Sequence, residues 1–299
     1  PEFLLHKTKT GAMQNTDALI ELLYTDRFAE ATRLCGLGYE PIECAYGGDG
    51  SVLGAFAMDH HGSESWREGV ALRACRDHYS ARKQDPRFVV TGTPDADAVL
   101  AIIALAGLVP ASQIPNTFYE LVNLHDVDPV PLDLLSLPFG EELLFFQQLE
   151  HLRRDQSSFF RAIDEMRRLL LGGLQPKQRT MVRRREERRI EMAETSLLEP
   201  IGEAVLLVES RVWGFDRWYR RAPLVVSYSQ RGASITVGCR SVEVAEALCG
   251  EGGLMRVFAH LGYGWGGRES IGGSPRGVVF SFDQAREAAH KIAAWLEQK

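Results

Sequence analysis

Two adjacent histidines follow an aspartate in Asp59-His60-His61, at the end of an apolar run that closes on Met58. Imidazoles fill a core poorly and bind metals well, so the triplet reads as metal ligands and acid–base groups, or else as hydrogen-bonded surface histidines. A second segment, Val89-Val90-Thr91-Gly92-Thr93-Pro94-Asp95-Ala96-Asp97-Ala98, runs from a strand-like stretch into a long apolar helix. Asp95 and Asp97 are either hard oxygen donors for manganese or magnesium at the carboxyl end of a strand, or plain helix N-caps. A third cluster, His125-Asp126-Val127-Asp128-Pro129, completes such a site if the chain folds back to the strand ends, and is otherwise an ordinary turn. Convergence of the three clusters is what favours a shared metal site over three separate plain readings.

A different chemistry is written near the other end. In Gly264-Trp265-Gly266-Gly267-Arg268-Glu269-Ser270-Ile271-Gly272-Gly273-Ser274-Pro275-Arg276-Gly277 the glycines would let backbone N–H groups approach phosphate oxygens. Arg268 and Arg276 would add forked, charge-assisted hydrogen bonds. A turn-rich surface loop is the plainer reading.

The elements that must position these residues follow from periodicity. Strands are expected at Phe3 to Leu5, Pro41 to Ala45, Gly54 to Met58 and Arg87 to Thr91, and helices at Thr16 to Leu34, Trp66 to Lys83 and Asp95 to Leu108. Ser65 and Glu68 make a capping box for the second helix. This alternation predicts a layered α/β domain with a mostly parallel sheet over 1–140. From 141 to 197 a helical arm is expected, broken at Gly172-Gly173-Leu174-Gln175-Pro176. It carries Lys177, Arg179, Arg183, Arg184, Arg185, Arg188 and Arg189, a solvated helix face or a phosphate-backbone track. Its apolar positions also leave a homodimer contact open. Residues 198–299 read as a smaller α/β domain, with strands at Ala204 to Glu209, Leu224 to Ser229 and Ser234 to Val237 and helices at Ser241 to Leu248 and Phe282 to Glu297.

A length of 299 residues favours two domains. The net charge of -6 argues against a chain coated in nucleic acid, while allowing a local basic groove. Five cysteines without a Cys-x-x-Cys pair fit neither a disulfide framework nor a zinc knuckle. The start lacks the pattern of a signal peptide, and the longest apolar run, Ala98 to Val109, is shorter than the roughly 20 residues of a membrane-spanning helix. A cytoplasmic protein with no membrane partner is the expectation.

Asp59-His60-His61 resembles the signature triplet of the DHH phosphoesterase superfamily, and Thr93-Pro94-Asp95-Ala96-Asp97-Ala98 resembles its first metal motif, Asn-Pro-Asp-x-Asp-Ala. Gly47-Gly48 ahead of the triplet, and the glycine-rich loop at 264–277, are similar to further features of that superfamily. The resemblance implies a DHH domain, a DHH-associated substrate domain and a two-manganese site hydrolysing phosphate esters of nucleotides or short oligonucleotides. Asp95 and Asp97 would each hold one ion, with His60 and Asp126 or Asp128 on the second. His61 would act as general acid, with Asp59 orienting the pair. Gly266, Gly267, Arg268, Gly272, Gly273 and Arg276 would hold substrate phosphate.

The chain departs from the pattern in three ways. The aspartate motif follows the histidine triplet instead of preceding it. Thr91 stands where the motif has a histidine ligand, with His6 or His125 as candidate replacements. Ala45 stands where a bridging aspartate is expected, with Asp49 the nearest substitute. These departures keep a second expectation alive, a degenerate member that binds nucleotides or nucleic acid without hydrolysis.

Overall fold

The computed structural model describes residues 20–44, Met58, residues 68–78, 86–127, 133–149, 153–275 and 277–298. The expected strands at 3–5 and 54–57, the capping serine Ser65, and Gly47-Gly48 lie outside the described residues. The chain is α/β, and it divides into two compact units, 1–129 with 134–182 and 130–133 with 183–299.

The first unit holds strand β1 (Glu21–Tyr24), helix α1 (Phe28–Gly36), strand β2 (Glu40–Ile42), helix α2 (Val70–Arg73), strand β3 (Arg87–Val90), and helices α3 (Ala96–Ala106), α4 (Asn116–Val127), α5 (Gly140–Gln147) and α6 (Gln156–Gly172). A π-helical turn, Ala74–His78, continues α2. The three strands form one parallel sheet in the order β1-β3-β2, with Leu22 opposite Phe88 and Ile42 opposite Val90. Pro41 is tolerated because β2 is an edge strand among the described residues, where a missing N–H breaks no interior ladder.

Helix α3 is buried along its whole length. An apolar helix of this kind has no solvated face to present and belongs in the core. Its ends are marked in the sequence. The Asp95 carboxylate accepts from the Ala98 amide, and Gly107 stops the helix in the left-handed conformation that a side chain disfavours. α6, expected in a connecting arm, packs against α3 and β1, and the division between the units falls inside helix α7 (Pro176–Glu194).

The expected helix at Thr16 to Leu34 is corrected. Residues 21–24 form β1, and a helix begins only at Phe28. Ile20, Leu22, Leu23 and Tyr24 suit a helical stripe, but pairing with β3 buries Leu22 and wins over local periodicity. The Thr25 hydroxyl accepts from the Arg27 amide and turns the chain between the two elements.

The second unit holds strands β4 (Leu197–Ile201) and β5 (Val205–Ser210), helix α8 (Phe215–Trp218), strands β6 (Leu224–Ser229) and β7 (Ser234–Cys239), helices α9 (Val242–Cys249) and α10 (Leu254–Leu261), strands β8 (Gly266–Gly267) and β9 (Ile271–Gly273), and helix α11 (Phe282–Glu297). They build a mixed sheet in the order β4-β5-β6-β7-β9-β8, with β5 and β6 parallel. Val205 and Leu207 point into one apolar cluster with α9, α10 and α11, while Leu206 and Val208 point into another with Phe215 and Trp218. Burial on both faces explains why β5 and β6 read as continuous apolar runs. No described helix is long and apolar enough to cross a membrane.

Candidate metal centre

The carboxyl ends of the parallel strands are where α/β sheets gather chemistry. β2 ends at Ile42 opposite Val90, so Glu43 emerges beside the end of β3. Asp97 enters from the first turn of α3, and Asp126 from the last turn of α4. Glu43, Asp97 and Asp126 each offer an oxygen, and these atoms lie within 4.8 Å of one another. Glu43 and Asp97 are buried, and Asp126 is half-buried. Three carboxylates this close repel one another unless a cation, protons or N–H donors offset their charge. Hard oxygen donors of this kind could hold a divalent cation.

Part of the compensation is visible. Asp97 Oδ2 accepts the Val70 amide at 2.6 Å, and Oδ1 accepts the Ala71 amide at 3.0 Å. The carboxylate therefore caps α2, whose positive end faces it. Asn123, one turn before Asp126 on α4, accepts the preceding amide of Gly69 at 2.6 Å. Glu43 itself adopts a left-handed φ of 50°, uncommon for a residue with a side chain. Its amide donates to the Met58 carbonyl at 2.9 Å, which holds this turn at the strand end. Such local strain is found where the surroundings fix a functional geometry.

Of the residues expected to bind metal, the structure brings Asp97 and Asp126 together. Asp95 lies outside this trio, exposed, with Oδ1 accepting the Ala98 amide at 2.9 Å as the α3 N-cap. His125 is not in the trio either. Gln147 Nε2 lies 2.9 Å from its Nε2 and 3.1 Å from its Nδ1, and burial lowers its pKa against the opposing pull of Asp126. Asp49, Asp59, His60, His61, Asp128 and His6 lie outside the described residues. Sequence reasoning missed Glu43 and Asn123. The signal for Glu43 was an acid directly after a short apolar strand, and for Asn123 its spacing of three from Asp126 on one helix.

In the second unit the glycine-rich loop is a hairpin. Gly266 faces Gly273 and Gly267 faces Gly272, and the Arg268 amide donates to the Ile271 carbonyl at 2.7 Å to close the turn. A Cβ at Gly272 would lie 2.4 Å from the Gly266 carbonyl oxygen and 2.5 Å from the Phe258 ring. This glycine is therefore required by strand and ring packing, whatever else the loop does. Arg268 is half-buried, and Arg276 lies outside the described residues. Compared with known proteins, the chain matches no family model and no curated protein.

Proposed function

We propose that this protein is a metal-dependent phosphoesterase acting on nucleotides or short oligonucleotides, as a DHH-like hydrolase whose first unit carries the reaction. The observation that supports it most is the convergence of Glu43, Asp97 and Asp126 at the carboxyl edge of the parallel sheet. A bound divalent cation there would supply Lewis-acid activation of water and of the phosphoryl oxygen. Glu43 and Asp126 would hold it, while Asp97 both contributes an oxygen and fixes the start of α2. The Asp59-His60-His61 triplet, on this reading, supplies proton transfer and further ligands.

A second reading has its own observation. Both Asp97 oxygens already accept backbone amides, and Asp95 already caps α3, so these aspartates have structural duties without any metal. On that reading the protein binds nucleotides without hydrolysing them.

Calorimetric titration of chelator-treated protein with manganese separates the two, followed by assay on p-nitrophenyl thymidine phosphate and a dinucleotide RNA. The phosphoesterase reading expects saturable manganese binding and turnover, both lost in Asp126→Asn. Turnover unchanged in Asp126→Asn and Glu43→Gln would remove this site from the reaction. Absence of both binding and turnover favours the second reading.

A further inference from the structure

In the second unit the turn between α8 and β6 and the residue after β7 border an open surface pocket of about 260 Å³, lined by Tyr219, Arg220, Arg221, Pro223, Arg240 and Val244 among others. The scaffold beneath it is firm. Phe215 and Trp218 are buried, and Trp218 Nε1 donates to the Ala193 carbonyl at 2.9 Å. The Arg221 amide donates to the Trp218 carbonyl at 2.9 Å, and the Tyr219 ring packs 5.4 Å from that of Phe215. Antiparallel pairing of Leu224 with Cys239 then brings Pro223 and Arg240 side by side. Ser241 caps α9 by accepting the Val244 amide, so the positive end of that helix also borders the pocket.

The charge here runs against the rest of the chain. The protein has 40 acidic and 34 basic residues, yet the residues lining this pocket include three arginines and no acid. Arg220, Arg221 and Arg240 form no ion pair among the described residues. Glu243, the acid of the first turn of α9, is exposed and is not among the lining residues. Arg220, Arg221 and Arg240 are all exposed, so water screens their mutual repulsion, and an anion bound at this lining meets three positive charges and no negative one. Guanidinium forks match phosphate oxygens in pairs. The volume lies below the ~300–1,000 Å³ that engulfs a whole drug-sized ligand, so the pocket suits the phosphate end of a larger molecule.

We propose that the Arg220, Arg221 and Arg240 pocket is an anion site for a terminal phosphate monoester. The inference does not depend on hydrolysis at the first sheet, and chelator-treated protein suffices to test it. The full chain is titrated by calorimetry with ribose 5-phosphate, a 5′-phosphorylated dinucleotide and the same dinucleotide without its 5′-phosphate. The phosphorylated probes bind and the third does not. Affinity falls about tenfold or more in Arg221→Gln with Arg240→Gln, the scale of a lost charged hydrogen bond. Arg211→Gln with Arg231→Gln removes the same charge from exposed positions outside the lining and leaves binding unchanged. Tighter binding of the phosphorylated dinucleotide assigns the site to oligonucleotide ends, and tighter binding of ribose 5-phosphate assigns it to free phosphate esters; either supports the site. No binding of the phosphorylated probes, equal binding of the unphosphorylated one, or equal weakening in both double variants overturns it.

Discussion

A Cβ placed on Gly69 would come 2.6 Å from Oδ1 of Asp97. The Gly69 backbone, at φ -63° and ψ 159°, is open to any residue, so the glycine is required by this close approach and not by its conformation. The Asp97 carboxylate has little freedom to retreat, since the next two amides hold both of its oxygens. Gly69→Ala is therefore expected to cost about 1–3 kcal/mol, the range for a methyl forced into a packed site. On the proposed metal-dependent reading it should also weaken manganese binding, by displacing Asp97. Urea unfolding together with calorimetry checks both, and a variant that keeps wild-type values for both would mean the carboxylate yields freely.

Asp97 and Glu43 should respond in opposite directions when neutralised. Asp97→Ala leaves the Val70 and Ala71 amides without their acceptor, which is expected to cost about 2–4 kcal/mol. Glu43→Gln removes one of three crowded negative charges and keeps the side-chain shape, so the protein without metal should gain stability, while on the proposed reading its manganese affinity falls. Chemical denaturation of both variants, with chelator and with manganese, gives the signs. Destabilisation of metal-free protein by Glu43→Gln would show that repulsion is not what the trio experiences.

How much of this was legible in sequence depended on whether local chemistry and tertiary packing agreed. α3 was legible because Asp95 and Gly107 bracket an unbroken apolar run, and β6 and α11 appear with the expected limits. The break between α6 and α7 falls at the Gly172 to Pro176 segment, where the helix period stops. β1 was hidden because its apolar residues suit a helical stripe, and only β3 makes them a strand. β4 carries Pro200 and escaped notice as an edge strand. At the site, Asp97 and Asp126 could be singled out by clustering, but Glu43 is a lone acid whose importance comes from strand order.

The edge of the first sheet carries an alkaline-sensitive contact. The Tyr39 hydroxyl donates to the Glu21 carboxylate, and Arg87 lies 5.4 Å from the ring centre. Burial first, and then the bond to Glu21, pushes the phenol up from 10.0 to about 12, while Arg87 and Arg33 pull the other way. Below pH 10 the phenol is neutral in both folded and unfolded chains, and its contribution is complete. Between 10 and about 12 the unfolded chain releases the proton first, so that contribution declines as pH rises. Unfolding titrations across this window should show a smaller alkaline loss in Tyr39→Phe than in the wild type. Identical slopes would assign the loss to other groups.

The arginine-rich helix α7 offers the sharpest contrast between two neighbouring residues. Arg189 donates to Glu186 Oε1 at 2.7 Å and, through both terminal nitrogens, to the Asp216 carboxylate at 2.9 Å each. It also donates to the Trp213 carbonyl. Burial works to lower its pKa, but the bonds to Asp216 and Glu186 outweigh that and hold it above the ordinary arginine range. Arg188 is exposed. Arg189→Ala should therefore destabilise the protein by about 2–3 kcal/mol, less than for a fully buried pair because water reaches part of the network. Arg189→Lys should recover little, since a point charge cannot serve a forked arrangement. Arg188→Ala should stay within about 0.5 kcal/mol of wild type, as exposed substitutions do. If α7 is a phosphate track as well, Arg188→Ala will instead weaken binding to a short RNA and flatten its salt dependence, leaving stability untouched. Equal stability losses at both positions would show that Arg188 is also tied into the fold.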